Sequence, residues 1–243
     1  MLNITKTRKP TPPRIVVYGA GGIGKSTLAA HFPAPLFFQT EDGLTNIDAV
    51  SAGLFRNYTD LVTALDELRN HPDEYSNFKT IVIDSIDCME RLLWDVVCAS
   101  NKVTSIEKIP YGRGYSMAAE LLRSFLDLLS SLQAQGKIVL LVAHGVPVVY
   151  NDPETTDLHK FDLRLHKTSK ALLVEWSDLV LFATRKKGTA KGNISERVLK
   201  SQDSPTHYAK SRYNLPDSIA MDAGELLQLV ATDQQREAEE VPF

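Results

Sequence analysis

The stretch Gly19 to Thr27, GAGGIGKST, constrains this chain more than any other. The apolar run Arg14 to Tyr18 (RIVVY) leads into it, and helix-forming residues follow from Ser26 to Phe32. A buried strand that breaks into glycines and restarts as a helix has one well-known physical use. Glycine backbones let several N–H groups converge on a single point, and the helix N-terminus adds positive potential there. The stretch fits G-x-x-x-x-G-K-[ST] throughout, which makes it a phosphate-binding loop. Gly19, Ala20, Gly21, Gly22, Ile23, Gly24, Lys25, Ser26 and Thr27 are therefore the expected nucleotide-binding residues. Lys25 would reach the outer phosphates, and the Ser26 hydroxyl would bind Mg²⁺.

The rest of the chain supports the α/β class that such a loop needs. Pro35 to Thr40, Thr80 to Asp84 and Lys137 to His144 are further short apolar runs, read as buried strands. Between them lie helical patterns: Leu61, Leu65 and Leu68; Ile86 to Val97; and Ala118 to Leu132. Strands alternating with helices predict a mostly parallel twisted sheet with helices on both faces. Past His144 the pattern changes. Phe161 to Leu165 alternates as a half-exposed strand, a short helix surrounds Leu172, and Asp178 to Thr184 is another buried strand. Lys186 to Asn193 reads as a turn with Ser195 to Lys200 returning, a C-terminal β-hairpin extension. The expected organisation is a flexible basic arm over 1–13, an ATPase core over 14–230 ending in a helix from Ala223 to Val230, and an acidic tail over 231–243.

Composition narrows the setting. With 243 residues, 43% hydrophobic and 23% charged, the chain suits one medium-sized domain rather than a disordered or fibrous protein. No apolar run approaches the ~20 residues of a membrane span, and the first residues lack the apolar segment of a secretory signal. Cys88 and Cys98 fall in one helix without metal-type spacing, so reduced thiols in a cytoplasmic compartment are expected. The net charge of −3 excludes a uniformly basic nucleic-acid coat but leaves room for a local basic groove.

Asp84, ending TIVID, is the second expected metal residue beside Ser26, holding Mg²⁺ near the loop from a strand's carboxyl end. A helix-capping Asp is the plainer alternative. Ser85 follows it, so the Asp-Glu pair of AAA+ motors is missing. Asn101 to Thr104 lacks the Asp of a guanine-reading loop, and no LSGGQ-like segment marks an ABC ATPase. A catalytic base must come from elsewhere. Glu41, just past the second strand on the phosphate side, is the best candidate, with Asp42 as substitute.

These residues together resemble the RecA-type P-loop NTPase core. More closely, they resemble the bacteriophage RecA-core-only ATPases, a group that includes single-strand annealing proteins. The matching residues are Gly19 to Thr27, Thr40-Glu41, Thr80 to Asp84, Tyr111 to Tyr115, His144 and Ala209 to Pro216. Gln39 departs from that pattern, since related proteins often carry Asp there. The resemblance implies ATP and Mg²⁺ as cofactors, Glu41 and Lys25 as catalytic groups, and His144 as a sensor of the γ-phosphate. It also implies that Lys210 and Arg212 are fingers reaching a neighbouring subunit's phosphate, hence self-assembly into a ring or filament. Single-stranded DNA is the implied partner, at the segments about 101–116 and 145–170. Candidate contacts are Tyr111, Arg113, Tyr115, Lys160, Arg164, Lys167 and Lys170, cations and aromatics suited to phosphates and stacked bases. A further basic cluster, Arg185, Lys186, Lys187 and Lys191, sits on the hairpin. The acidic stretch that ends in Val241-Pro242-Phe243 resembles the tip of bacterial single-strand binding proteins, a candidate docking peptide for a partner. The function implied is ATP-dependent single-strand annealing or recombination in a bacterial cytoplasm. The alternatives are a nucleotide-switched loader or sensor with little turnover, or a small-molecule kinase.

Overall fold

Ile15, Val16, Val17 and Tyr18 are all buried, so β1 (Arg14–Gly19) is covered on both faces and must run through the middle of a sheet. The computed structural model describes residues 10–150, 158–186 and 196–239. After β1 come α1 (Lys25–Ala30), β2 (Pro35–Gln39), β3 (Val50–Leu54), α2 (Tyr58–Asn70) and β4 (Thr80–Asp84). Then follow α3 (Ile86–Ser100), two 3-10 turns, α4 (Arg113–Ala134), β5 (Ile138–Tyr150), β6 (Leu158–Leu163) and α5 (Lys167–Trp176). The chain closes with β7 (Leu179–Arg185), β8 (Arg197–Lys200), β9 (Lys210–Ser211), β10 (Ser218–Ala220) and α6 (Ala223–Glu239).

The strands form one sheet in the order β10-β8-β7-β1-β5-β4-β2-β3, with β6 beside β5 and β9 beside β7. The pairs from β7 through β3 on that path are parallel, and β8 is antiparallel to β7. Two apolar cores cover the two faces. Leu61 and Leu65 of α2, Met89 and Leu93 of α3, Leu122 and Phe125 of α4 and Leu173 of α5 fill one. Leu28 of α1 and Leu226 and Val230 of α6 fill the other. This is the mostly parallel α/β sheet with helices on both faces expected from the alternating pattern. Because the strands are parallel, the carboxyl ends of β1, β2, β4 and β5 fall at one edge, where ligands of open α/β sheets bind.

Several boundaries differ from expectation. β5 continues past His144 to Tyr150 and pairs antiparallel with β6. The segment 101–114 is not all loop: Tyr111 and Gly112 have positive φ and stop one turn, and α4 starts at Arg113, so Gly114 and Tyr115 are helical. α6 extends to Glu239, so the expected tail from 231 begins as helix, and Asp233 packs back by accepting the Asn214 N–H at 3.1 Å. At the other end, Pro12 and Pro13 join the core by accepting hydrogen bonds from Gln133 and Val139. Most of the expected arm, the hairpin residues 187–195 with Lys187 and Lys191, and the Val241 to Phe243 tip lie outside the described residues.

Candidate nucleotide site

The loop between β1 and α1 owes its shape to close packing. A Cβ on Gly19 would lie 2.4 Å from the Ala183 carbonyl oxygen of β7, so only glycine fits where β1 leaves the sheet. Gly24 caps α1 with φ 105°, a left-handed backbone that favours glycine. Lys25 is buried and donates to the carbonyls of Gly19 and Ala20 at 3.1 and 3.0 Å, folding its ammonium back over the loop. Burial lowers its pKa, against the pull of Asp84, Asp87 and Glu41, which favour the charged form.

Asp84 ends β4 one strand away from β1, across β5. It is buried, and burial raises its pKa despite a hydrogen bond with Ser26. A desolvated carboxylate beside a helix-N-terminal hydroxyl is half of a magnesium site. The other ligands would be phosphate oxygens and water, because Mg²⁺ keeps few protein ligands. Accordingly, no cluster of His, Cys, Asp and Glu among the described residues forms a protein-only metal cage. The donor set thus fits a Mg²⁺-nucleotide.

Glu41 stands just past β2. Its Oε2 accepts from Ser85 Oγ at 3.0 Å and from Cys88 Sγ at 3.3 Å, and lies 3.7 Å from His144 Nδ1. Thr40 is held beside it, donating to the Ser85 carbonyl at 2.6 Å. His144 is placed by Asp87, a residue that no motif singles out. Asp87 is 1% exposed; its carboxylate accepts the His144 backbone N–H at 3.0 Å and meets Nδ1 at 3.1 Å. Burial would raise Asp87, but the His144 N–H and the Arg164 guanidinium hold its pKa below the usual carboxylate value. Taking Nδ1 as the donor to Asp87 leaves Nε2 as the nitrogen available to a ligand.

One cavity of about 320 Å³ gathers Gly21, Gly24, Lys25, Ser26, Glu41, Asp84, His144 and Arg197. The phosphate-loop residues Gly21, Gly22, Gly24, Lys25, Ser26 and Thr27 therefore meet Asp84, Glu41 and His144 in it, together with Arg197, which sequence reasoning passed over. Asp42 is not among its lining residues. Asp87 could have been suspected, since on a helix it lies beside Asp84 in sequence. Arg197 had no sequence signal, because it belongs to none of the motifs.

Other expectations land elsewhere. Lys210 donates to the carbonyls of Glu175 at 3.4 Å and Ser177 at 2.9 Å, and also to that of Val174. Arg212 donates to Glu175 O at 2.6 Å and pairs with Asp178 at 2.9 Å. The two cations do point the same way, but toward the end of α5 in their own chain.

The candidate DNA contacts divide. Arg164 pairs with Asp87 through its Nε at 2.7 Å and through a second nitrogen. Tyr115 stacks on His166 with ring centroids 4.0 Å apart and meets Trp94 edge-on at 5.6 Å. Lys160 pairs with Asp203 at 2.7 Å, and Lys170 with Asp162; both lie over the Tyr208 ring. These four side chains have partners within their own chain. Tyr111 is 99% exposed, and Arg113 and Lys167 are exposed as well. A second cavity of about 470 Å³ is lined by Trp94, Val146, Val148, His166, Lys167 and Lys170, and by Asp87 and Arg164, of which Asp87 touches His144 of the first.

Fold and site together define a P-loop NTPase. The chain belongs to the AAA domain family, whose profile matches residues 11–213. It does so with Ser85 after Asp84, the site's other carboxylates being Glu41 and Asp87. The chain is 24% identical over 237 residues to the SPbeta prophage-derived uncharacterized protein YorG of Bacillus subtilis (strain 168), covering 93% of this chain and 68% of that protein. Among solved structures it is similar to the flagellar accessory protein FlaH from Methanocaldococcus jannaschii, with 11% identity and TM-score 0.42 over 79% of this chain and 78% of that one. A KaiC-like protein from Pyrococcus horikoshii OT3 matches with 15% identity and TM-score 0.41 over 79% of each chain. No helix among the described residues is long and apolar enough to cross a membrane.

Proposed function

We propose that this chain binds ATP with Mg²⁺, hydrolyses it, and couples that cycle to holding single-stranded DNA during annealing or recombination. The convergence of Lys25, Ser26, Asp84, Glu41 and His144 in one cavity carries the ATPase part. Loop amides and Lys25 would hold the phosphates, and Ser26 with Asp84 would hold the metal. Mg²⁺ would supply charge neutralisation on the phosphate oxygens. Glu41, fixed by Ser85 and Cys88, would orient and deprotonate the attacking water, and His144 would meet the terminal phosphate.

The DNA part rests on position. The Tyr115–His166 stack brings the N-terminal ends of α4 and α5 together, with Arg113 and Lys167 exposed on either side. Cations there would meet phosphates, and Tyr111 offers a ring for base stacking. Nearby, Asp87 is shared by Arg164, which lines the second cavity, and His144, which lines the first. The prophage origin of the Bacillus subtilis relative suits a phage recombination role. Self-assembly and a docking role for the C-terminal tip are further parts of this proposal.

ATP turnover with and without single-stranded DNA, with assembly size measured on the same samples, tests it. Lys25→Ala should abolish turnover, and Glu41→Gln should keep ATP binding while lowering turnover by about 100-fold or more. Arg113→Ala with Lys167→Ala should weaken DNA binding and flatten its salt dependence. Normal turnover in Glu41→Gln would remove Glu41 as base. Absence of DNA binding at low salt would remove the DNA part and leave the ATPase.

A further inference from the structure

Arg197 is the one cation besides Lys25 that lines the nucleotide cavity among the described residues. Its position follows from its strand. In β8 it is two positions before Leu199, so the two side chains share a face. Leu199 is fully buried in the core that also holds Ile23 of the phosphate loop and Leu28 of α1. Arg197 must therefore project on the phosphate-loop side of the sheet. It lies so close to the loop that a Cβ on Gly24 would come 2.7 Å from one of its guanidinium nitrogens.

The electrostatics around it favour an anion. No carboxylate pairs with Arg197 among the described residues. The cavity that Arg197 faces holds the glycine loop and Lys25, a cradle for phosphates, together with Glu41 and Asp84.

We propose that Arg197 contacts the nucleoside triphosphate bound in its own chain and supplies, in cis, the cation that neutralises charge developing on the transferred phosphoryl group. This rests on the nucleotide reading above and adds to it. Lys210 and Arg212 hold the end of α5 in their own chain. A fork-shaped guanidinium can bridge phosphate oxygens in a way an ammonium cannot. Turnover then does not require a neighbouring subunit, and assembly can serve another purpose.

The test uses the full chain and its Arg197→Ala and Arg197→Lys variants, with folding checked by circular dichroism and urea midpoint. Arg197→Ala should lower kcat by about 100-fold or more and weaken ATP binding by no more than about 10-fold. Arg197→Lys should fall between the two. Affinity for ADP with aluminium fluoride should drop more than affinity for ADP alone. Mixing Arg197→Ala chains with Lys25→Ala chains should give only the sum of their separate activities. Recovery in that mixture would overturn the cis assignment, and kcat within twofold of the parent in Arg197→Ala would overturn the role altogether. A parent protein that binds no ATP would remove the nucleotide reading, and this inference with it. A parent that binds and hydrolyses ATP, with Arg197→Ala unimpaired, would remove this inference alone.

Discussion

Replacing Asp87 by Ala would leave the His144 ring and the Arg164 guanidinium together without the carboxylate that both now touch. The His144 backbone N–H would lose its acceptor as well. Removing one member of a largely buried charge group costs more than the group itself contributes, because the remaining charge stays desolvated. Arg164 is 39% exposed and can recover some water, so the expected loss is about 2 kcal/mol rather than the upper end of the range. Urea denaturation measures it. The pH dependence has a definite sign. Asp87 is held below the ordinary value of 3.8, so the unfolded chain binds its proton more readily. Its stabilisation is complete above that value and fades as pH falls through the lower folded pKa. The gap between the parent and Asp87→Asn should therefore be constant near neutrality and close only in acid. Residues named by a local motif, Lys25, Ser26 and Asp84, were legible because their chemistry depends on near neighbours in sequence. Asp87, Arg164 and Arg197 were not, because their roles arise from separate elements that meet only when the sheet closes.

At the scale of elements, long apolar runs were easy to read and short edge strands were not. β1, β4 and the first part of β5 are apolar on both faces, which leaves few alternatives to a central parallel strand. β3 is largely exposed, carries Gly53, and pairs with β2 across a register shift, so its sequence VSAGL shows no periodicity. β9 has only Lys210 and Ser211, and its pairing is set by β7 rather than by its own residues. Lys210 shows what such a strand does. Its ammonium meets the carbonyls of Val174, Glu175 and Ser177, groups that the end of α5 leaves without helical partners. Lys210→Ala should destabilise the fold by about 1–2 kcal/mol, read as a lower urea midpoint. With the folded fraction accounted for, turnover per chain should stay within about twofold of the parent, against the ~1,000-fold drop expected of a trans finger. A collapse of turnover with an unchanged midpoint would instead restore Lys210 to the finger role.

Across the whole molecule, the parallel sheet separates chemistry from anchoring by the length of its strands. The nucleotide cavity lies at the carboxyl ends, where β1 gives way to the loop at Gly19. At the opposite end, Asp178 accepts from the backbone N–H and guanidinium of Arg14 and pairs with Arg212. This ties the start of β1 and the entry to β7 to the segment carrying β9. At about 3.3 Å per residue, Arg14 and Gly19 are roughly 16 Å apart along β1, beyond a Debye length at physiological salt. Two arginines sharing one largely buried carboxylate make Asp178→Ala costly, about 2 kcal/mol after allowing for the half-exposed Arg212. Because that loss falls on the far end, ATP affinity measured below the unfolding transition should remain within about twofold of the parent. Asp178→Asn keeps the shape and should lose less. Weakened ATP binding in a variant that is still folded would show that the two ends of the sheet communicate, and that the sheet is not the rigid spacer its packing on both faces implies.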